Sequence, residues 1–567
     1  MSLIGALNAG KSALAVQQAA IQVTGNNISN AGNADYTRES SDLSPSPDQQ
    51  LQPGIFIGTG VDLTAVQRQI DDALEARIRG SISDNSSADA TQQWLARVES
   101  VFSALGTDNL STSMSTFFNS WSDLANKPQD IGLRQVVLQN GDTLAKKFNS
   151  QRQQLTDLTS NVTTELQSQV QAADNLASKV ATLNGQIVTA EGGTGGTANS
   201  LRDQRDAVLQ QLSQLMNIST VQQPNGSVNV YVGSEPLVFD ASSRGVALTY
   251  QAGNGTTTPT VVFKTTNGTV PLGGGGQVGA LADMQAQITG VVAQEDTLAH
   301  NVIFELNKLH ASGQGLVGLS SVAGTNAAAD PTKPLNSTAA GLAFRPTNGS
   351  FVVHVRQKGG GLVNSTLVQV NLTGQPTDTT LNSLAASFNA INGVTATIAG
   401  GRLQVSAANT AVDLSFSQDS SGVLAALGLN TFYTGKDASD IAVNGTVMNQ
   451  PQLLAAAKNG DSADNQTALA IAAMESRPVA ALNGTSLKDT YQAMIDGVAS
   501  QTAAAKTNAQ ASQTVMNTLQ AQRQTLSGVS LDEEAVNLMQ QQRAFQGAAK
   551  LVTTINDMMQ TVLDMVR

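Results

Sequence analysis

The sequence predicts a multidomain α+β chain, helical at both ends, with β-rich segments inserted between helices. Three observations carry this. Apolar residues recur every seven positions near both termini, the spacing of a helix that buries one stripe. A run from about Asp130 to Ala190 repeats them at intervals near 3.5, which is helical periodicity. Two later stretches alternate apolar and polar residues beside Asn-Gly pairs, the pattern of strands joined by tight turns. At 567 residues the chain is long enough for roughly three to four domains.

In the first segment Leu7, Leu14, Ile21 and Ile28 lie seven apart, flanked by Ala6, Ala13 and Ala20 and by Ala9, Val16 and Val23. These rows merge into one broad, Ala-rich face. Asn26, Asn27, Asn30 and Gly32 end the helix, and the Ser/Pro/Gln-rich stretch through Pro45, Pro47 and Pro53 reads as an extended loop. The central helix carries Leu155, Val162, Leu166, Ala173, Leu176, Val180, Leu183 and Ile187 on one face. Shorter helical patterns cover Arg68 to Arg79, Ala90 to Leu105, Ala280 to His310 and Leu487 to Leu526. The last helix repeats Leu531, Leu538, Phe545, Val552, Met559 and Val566, joined by Ala548, Ile555 and Val562 to form a seam. Ser530 is placed to cap it, Glu533 to complete a capping box, and Asp532 to Glu534 to suit the dipole. Matching stripes at the two ends predict a helical bundle in which the terminal segments pack side by side.

The β-rich islands are residues 218–272 and 319–435. The first offers Val228 to Val232 and Thr260 to Phe263 as strands, with turns at Asn225-Gly226 and Asn267-Gly268. The second offers Phe351 to Val355, Leu367 to Leu372, Val394 to Ile398 and Leu403 to Val405, interrupted by a helix from Leu381 to Ile391. The glycine runs Gly192 to Gly196 and Gly273 to Gly276 read as linkers.

Composition excludes several function classes. The net charge is −12 and only 13% of residues are charged, so the basic face that nucleic acid requires is missing. No apolar stretch reaches the length of a membrane span, and no partner in the membrane is expected. There is no cysteine, which removes disulfides, thiol catalysis and thiolate metal sites together. The N-terminus lacks the basic and apolar regions of a cleaved secretory signal. The histidines, His300, His310 and His354, have no zinc-type spacing. The stretch from Gly428 to Gly435-Lys436-Asp437 has a spacing too long for a phosphate loop, and an Asp where the hydroxyl belongs. No catalytic, cofactor or metal site is expected, and an enzyme is not.

The terminal motifs sharpen this reading. Ala13 to Gln18, Asn26-Asn27-Ile28-Ser29-Asn30 and Tyr36-Thr37-Arg38 resemble the N-terminal signature of flagellar rod, hook and hook-associated axial proteins. Leu538 to Gln546 and Thr553 to Met558 resemble the matching C-terminal signature. Within that superfamily, four runs resemble the hook-associated protein 1 family of hook-filament junction proteins. They are Ser527 to Glu534, Asn199 to Leu209 around Arg202-Asp203-Gln204-Arg205-Asp206, Gly428 to Gly435, and Asp461 to Met474. The chain departs from the pattern at Asp35, where the family has Gly, and at Glu39, where it has Gln. Another axial protein, such as the hook protein, is the alternative; it would lack the Ser-Gly-Val-Ser-Leu-Asp-Glu-Glu run.

The resemblance implies a coiled-coil inner domain from residues 1–45 and 520–567 and a helical rod domain from 46–217, 273–318 and 436–519. It also implies inserted β-rich domains at 218–272 and 319–435, the latter outermost. An assembly interface follows at Leu7, Leu14, Ile21, Ile28, Leu531, Leu538, Phe545, Val552, Ile555, Met559 and Val562. The motif residues are Asn26, Asn27, Asn30, Tyr36, Arg38, Asp532, Glu533 and Glu534. The implied function is a structural subunit joining hook to filament, as mechanical adaptor and assembly platform. The implied partners are copies of itself in a ring, the hook protein, the second junction protein, a cytoplasmic flagellar export chaperone and the flagellar type III export apparatus. The implied location is the extracellular flagellum.

Overall fold

The computed structural model describes residues 3–103, 109–192, 198–253, 256–358 and 361–565. Leu105, Val566 and Gly193 to Gly196 lie outside the described residues. In chain order the elements are α1 (Leu3–Ser29), β1 (Glu39–Pro45), β2 (Gln49–Gln52), β3 (Ile55–Ile57), β4 (Val61–Arg68), α2 (Asp72–Ser103), α3 (Leu110–Asn126), α4 (Ile131–Ala190) and α5 (Asn199–Leu215). Six strands follow: β5 (Ile218–Gln222), β6 (Val228–Val232), β7 (Glu235–Phe239), β8 (Ser242–Ser243), β9 (Val246–Gly253) and β10 (Thr256–Phe263). Next come α6 (Gly276–Ala311), β11 (Ser321–Ala323), β12 (Gly349–Gln357), β13 (Leu362–Val370), α7 (Leu381–Asn389), β14 (Val394–Ala399), β15 (Arg402–Ala407) and β16 (Val412–Ser417). The chain ends with α8 (Val423–Leu427), β17 (Tyr433–Thr434), β18 (Ala442–Val443), α9 (Gly445–Asn449), α10 (Gln466–Ala472), α11 (Leu487–Ser527) and α12 (Leu531–Met565). Two compact units result, one from residues 1–94, 161–285 and 503–567, the other from 95–160 and 286–502.

In the first unit α1 and α12 pack antiparallel: Gly10 lies against Val552, Thr24 bonds Gln541 and Asn27 bonds Glu534. A Cβ at position 10 would stand 2.8 Å from Val552 Cγ2, so Gly10 lets the two backbones approach. The stretch expected to be an extended loop is instead β-structure. Strands β1 and β4 pair antiparallel from Glu39↔Arg68 to Pro45↔Val61, and β2 pairs with β3. The prolines deceive because they sit where no ladder N–H is needed: Pro45 ends β1, and Pro53 precedes Gly54, whose φ is +84° at the turn.

The expected helix from Arg68 to Arg79 is likewise corrected. Arg68 closes β4, and Asp71 starts the helix by accepting from the amides of Ala73 and Leu74 at 2.9 and 3.1 Å. That helix runs unbroken through Gly80 and the Ser- and Asn-rich stretch to Ser103. Tertiary packing overrides the weak propensity: Ile78 and Ile82 bury against Leu519, and Ser83 is fully buried. Strands β5 to β8 form an antiparallel sheet in sequence order, and β9 pairs with β10. The Asn225-Gly226 turn needs its glycine twice over, for a φ of +86° and because a Cβ would meet Glu191 Oε2 at 2.5 Å.

The second unit holds two three-stranded sheets, ordered β11-β15-β14 and β13-β12-β16. The strands expected at 351–355, 367–372, 394–398 and 403–405 fall on β12 to β15, and the expected helix is α7, closed by a Thr380–Ser383 capping box. Strand β16, not among the expected strands, alternates apolar and polar residues and sends Leu414 and Phe416 into the core. The run Gly428 to Gly435 is a core plug: Leu429, Thr431 and Phe432 are fully buried. The Phe432 ring lies 5.5 Å from Phe117 and 5.7 Å from Trp121. Asn307 holds the plug in place, its Oδ1 accepting from the amides of Phe432 and Tyr433 at 3.0 and 2.9 Å. His310 is buried beside it, with Nδ1 2.8 Å from the Asn430 carbonyl and Nε2 accepting from the Ala455 amide at 3.0 Å. Burial lowers its pKa to about 4.

Candidate assembly interface

The turn after α1 is tied to the start of α12 by a buried polar clasp. Asn27 is 1% exposed and uses its whole amide. Its Nδ2 donates to the Glu39 carbonyl at 2.9 Å and to Glu534 Oε2 at 3.0 Å. Its Oδ1 accepts from the Tyr36 hydroxyl at 2.8 Å and the Glu39 amide at 3.0 Å. Only an amide supplies two donors and two acceptors from one short side chain. Arg38 spans two carboxylates, with Nε 2.9 Å from Glu534 Oε1 and Nη1 2.9 Å from Glu533 Oε2. Its backbone amide donates to the Ser527 carbonyl at 3.0 Å, so the same residue also holds the end of α11. Burial, then the carboxylates of Glu39, Asp203 and Glu534, push the Tyr36 phenol well above its ordinary range.

A second layer of charge backs the clasp. Asp203 on α5 accepts from the Thr37 amide at 3.3 Å and from Arg68 at 2.8 Å, and Arg68 also reaches Asp206 at 2.7 Å. Arg523 of α11 donates to Glu75 Oε1 at 2.6 Å and to the Ala34 carbonyl at 3.0 Å. Arg202 and Glu191 form a two-pronged buried pair at 2.7 and 2.8 Å. Breaking such a pair by removing one partner strands the other charge, a loss of about 3–5 kcal/mol. Arg68, Asp206, Glu75 and Arg523 were not among the expected site residues. Only Asp206 carried a signal, as part of the Arg-Asp-Gln-Arg-Asp run on α5, dense in charge for a chain with only 13% charged residues.

Among the expected motif residues, Asn27, Tyr36, Arg38, Glu533 and Glu534 converge on the clasp. Asn30 acts locally, its Nδ2 donating to the Asn26 carbonyl at 3.0 Å, while the Asn26 and Asp532 side chains are exposed. The capping box is only half made. Ser530 Oγ accepts from the Glu533 amide at 3.5 Å, while the Glu533 carboxylate turns to Arg38. Asp35 costs the turn little, because its φ is not left-handed and its amide is held by Asn33 Oδ1 at 3.1 Å.

On α12, Ile555 is buried, and Leu538, Phe545, Val552 and Met559 are half-buried on the side that faces α1. Leu531 and Val562 are exposed. On α1, Leu7, Leu14, Ile21 and Ile28 are half-buried, and the deepest row is Val16, Ala20, Val23 and Asn27. A further apolar stripe on α12 remains open: Leu551, Met558 and Met565 recur every seven residues, with Val562 between them, all at least 47% exposed. Asn27→Ala should lower the stability of the α1–α12 pairing by about 2–3 kcal/mol, because Glu534, the Tyr36 hydroxyl and the Glu39 amide lose a partner together. The check is the rate at which protease trims the termini, compared with the wild-type chain.

Comparison with known proteins points the same way as the terminal motifs. Residues 95–326 match the family described as "Flagellar hook-associated protein FlgK helical domain", and residues 520–565 match "Flagellar basal body rod FlgEFG protein C-terminal". Relatives aligned along nearly their whole length are named flagellar hook-associated protein 1. That of Escherichia coli K12 is 23% identical over 97% of both chains. That of Salmonella typhimurium is 25% identical over 98% of this chain and 99% of its own, and that of Bacillus subtilis 168 is 25% identical over 98% and 97%. The chain resembles flagellar hook-associated protein 1 along nearly its whole length. The structure of the flagellar hook junction protein FlgK from Burkholderia pseudomallei shares the fold, with a TM-score of 0.50 at 16% identity over 80% of this chain and 100% of that one.

The departures at Asp35 and Glu39 are compatible with the motif's geometry. The contact that Glu39 makes to Asn27 runs through its backbone, so the change from Gln leaves those bonds in place.

Proposed function

We propose that the chain is a structural subunit of the bacterial flagellum that forms the junction between hook and filament. In this reading it is a mechanical adaptor and the platform on which the next junction protein and the filament assemble. The observation that carries the proposal is α12. One face pairs with α1 and is locked by the Asn27–Arg38–Glu534 clasp, while a second apolar stripe stays exposed. Monomers seldom leave so regular a stripe to water unless another chain covers it.

Residues 1–45 and 520–567 then serve as the inner, ring-forming domain, with 46–217, 273–318 and 436–519 as the rod domain. The segments 218–272 and 319–435 are β-rich domains inserted between helices. The partners are copies of the chain, the hook protein, the second junction protein, an export chaperone that covers α12, and the type III export apparatus. In this reading the protein acts outside the cell and catalyses no reaction. No described helix is long and apolar enough to cross a membrane. A strain lacking this protein should build hooks, shed flagellin monomers into the medium and fail to swim, and the chain supplied on a plasmid should restore filaments. Filaments that persist on the hooks of the deleted strain would sink the proposal.

A further inference from the structure

The second unit contains a cavity of about 640 Å³ where the segment following α6 meets the ends of β12 and β16. That volume suits a ligand of sugar size. Its wall gathers unpaired polar atoms: Gln314 Nε2, Arg356 Nε, Asp413 Oδ1 and Ser415 Oγ are closed to bulk solvent and have no hydrogen-bond partner among the described residues. Gln314 and Ser415 are each 7% exposed. Buried polar atoms ordinarily find partners, so a concentration of unpaired ones around a single cavity calls for an explanation.

The charges narrow the ligand. Arg356 and Lys358 face a single carboxylate, Asp413, whose Oδ1 stands 3.9 Å from Lys358 Nζ, beyond hydrogen-bonding distance. The wall is therefore net positive in a chain whose net charge is −12, which favours an anion. The remaining set, an amide donor, a hydroxyl and a carboxylate acceptor, matches groups that both donate and accept, as alcohols do. Among the described residues no aromatic lines the cavity, so they offer no ring on which a base or flat cofactor could stack. Backbone approaches closely in the wall: a Cβ on Gly460 would stand 2.1 Å from Gln314 Oε1 and 2.9 Å from Arg356 Nη2.

We propose that this cavity binds a small polyhydroxylated carboxylate of the uronic acid type, its carboxylate on Arg356 and Lys358 and its hydroxyls on Gln314, Asp413 and Ser415. Small side-chain rotations bring the shielded atoms to the ligand, and each then gains the hydrogen bond it lacks.

The test is titration of the full chain with galacturonate, galactose and acetate, followed by calorimetry and ligand-observed NMR. Galacturonate should bind saturably and about tenfold more tightly than galactose, because charge-assisted hydrogen bonds contribute more than neutral ones. Acetate, which lacks the hydroxyls, should bind weakly. Lys358→Gln, at a half-exposed side chain, should fold normally and weaken galacturonate severalfold, and Arg356→Gln should abolish its binding. A trimer of galacturonate binding more tightly than the monomer would identify a residue within a polysaccharide as the ligand; the reverse order would identify the free acid. Absence of saturable galacturonate binding overturns the proposal. So does equal binding of galactose, or galacturonate affinity unchanged in both variants.

Discussion

Val552→Asp should abolish filament attachment while leaving the fold of residues 95–502 intact, and Leu538→Asp should do the same. Val552 packs directly on Gly10, where α1 and α12 approach closely. Each substitution removes part of the ~1.5–3 kcal/mol that burial of such a side chain contributes, and puts a charge into the seam. Exposed Gln540→Ala and Asp557→Ala, on the same helix, should stay within about 0.5 kcal/mol of wild type. The open stripe separates pairing within the chain from assembly between chains. Met558→Asp should leave protease trimming of the termini unchanged yet still release flagellin into the medium. If Met558→Asp strains swim normally, the stripe is not an assembly surface.

The two ends of the chain were legible because their signals are local. The heptad rows of α1 and α12, and the period of α4, depend only on which residues are apolar, and the structure keeps them within a residue or two. The terminal motifs pointed to Asn27, Tyr36 and Arg38 as a group. They could not show that Arg38 and Glu534, 496 positions apart, form one clasp, because long-range pairing leaves no periodic trace. The face of α1 that is buried most deeply also shifted, from the Leu7–Ile28 row to the Val16–Val23 row. Small Ala and Gly residues let α12 approach from that side, and residue hydrophobicity carries no record of closeness of approach. Strands β1 and β2 were missed for a different reason: their polar sequences, Glu39–Pro45 and Gln49–Gln52, hold one leucine each and show no alternation; β4 does alternate at Val61, Leu63 and Ala65.

Glu295→Gln should raise the stability of the second unit, and the gain should grow with pH. Glu295 lies on α6 with no exposed surface, and neither carboxylate oxygen has a hydrogen-bond partner. Burial raises its pKa from 4.5 to about 9; Asp296 adds to the rise and Arg152 opposes it. Tyr491, from α11, also lies within its electrostatic reach, and nearby Gln151, on α4, bonds Tyr491 while its own Nε2 stays unpaired. Between pH 4.5 and about 9 the folded chain keeps a proton that the unfolded chain releases. Stability therefore declines as pH rises through that window, by about 1.4 kcal/mol per unit, or ~3 kcal/mol by pH 7. His310 acts in the opposite sense. Its pKa falls from 6.5 to about 4, so its contribution is complete above pH 6.5 and is lost as pH drops toward 4. Below about pH 6.5 the two slopes oppose each other, with His354, whose pKa burial and then Arg356 also lower, acting on the side of His310; above that pH no histidine opposes the Glu295 slope. An amide at position 295 keeps the shape and removes the ionisation, so urea unfolding of wild type and variant should diverge steadily from pH 5 to pH 9. Parallel stability curves over that range would mean that Glu295 ionises in the folded chain as readily as in the unfolded one.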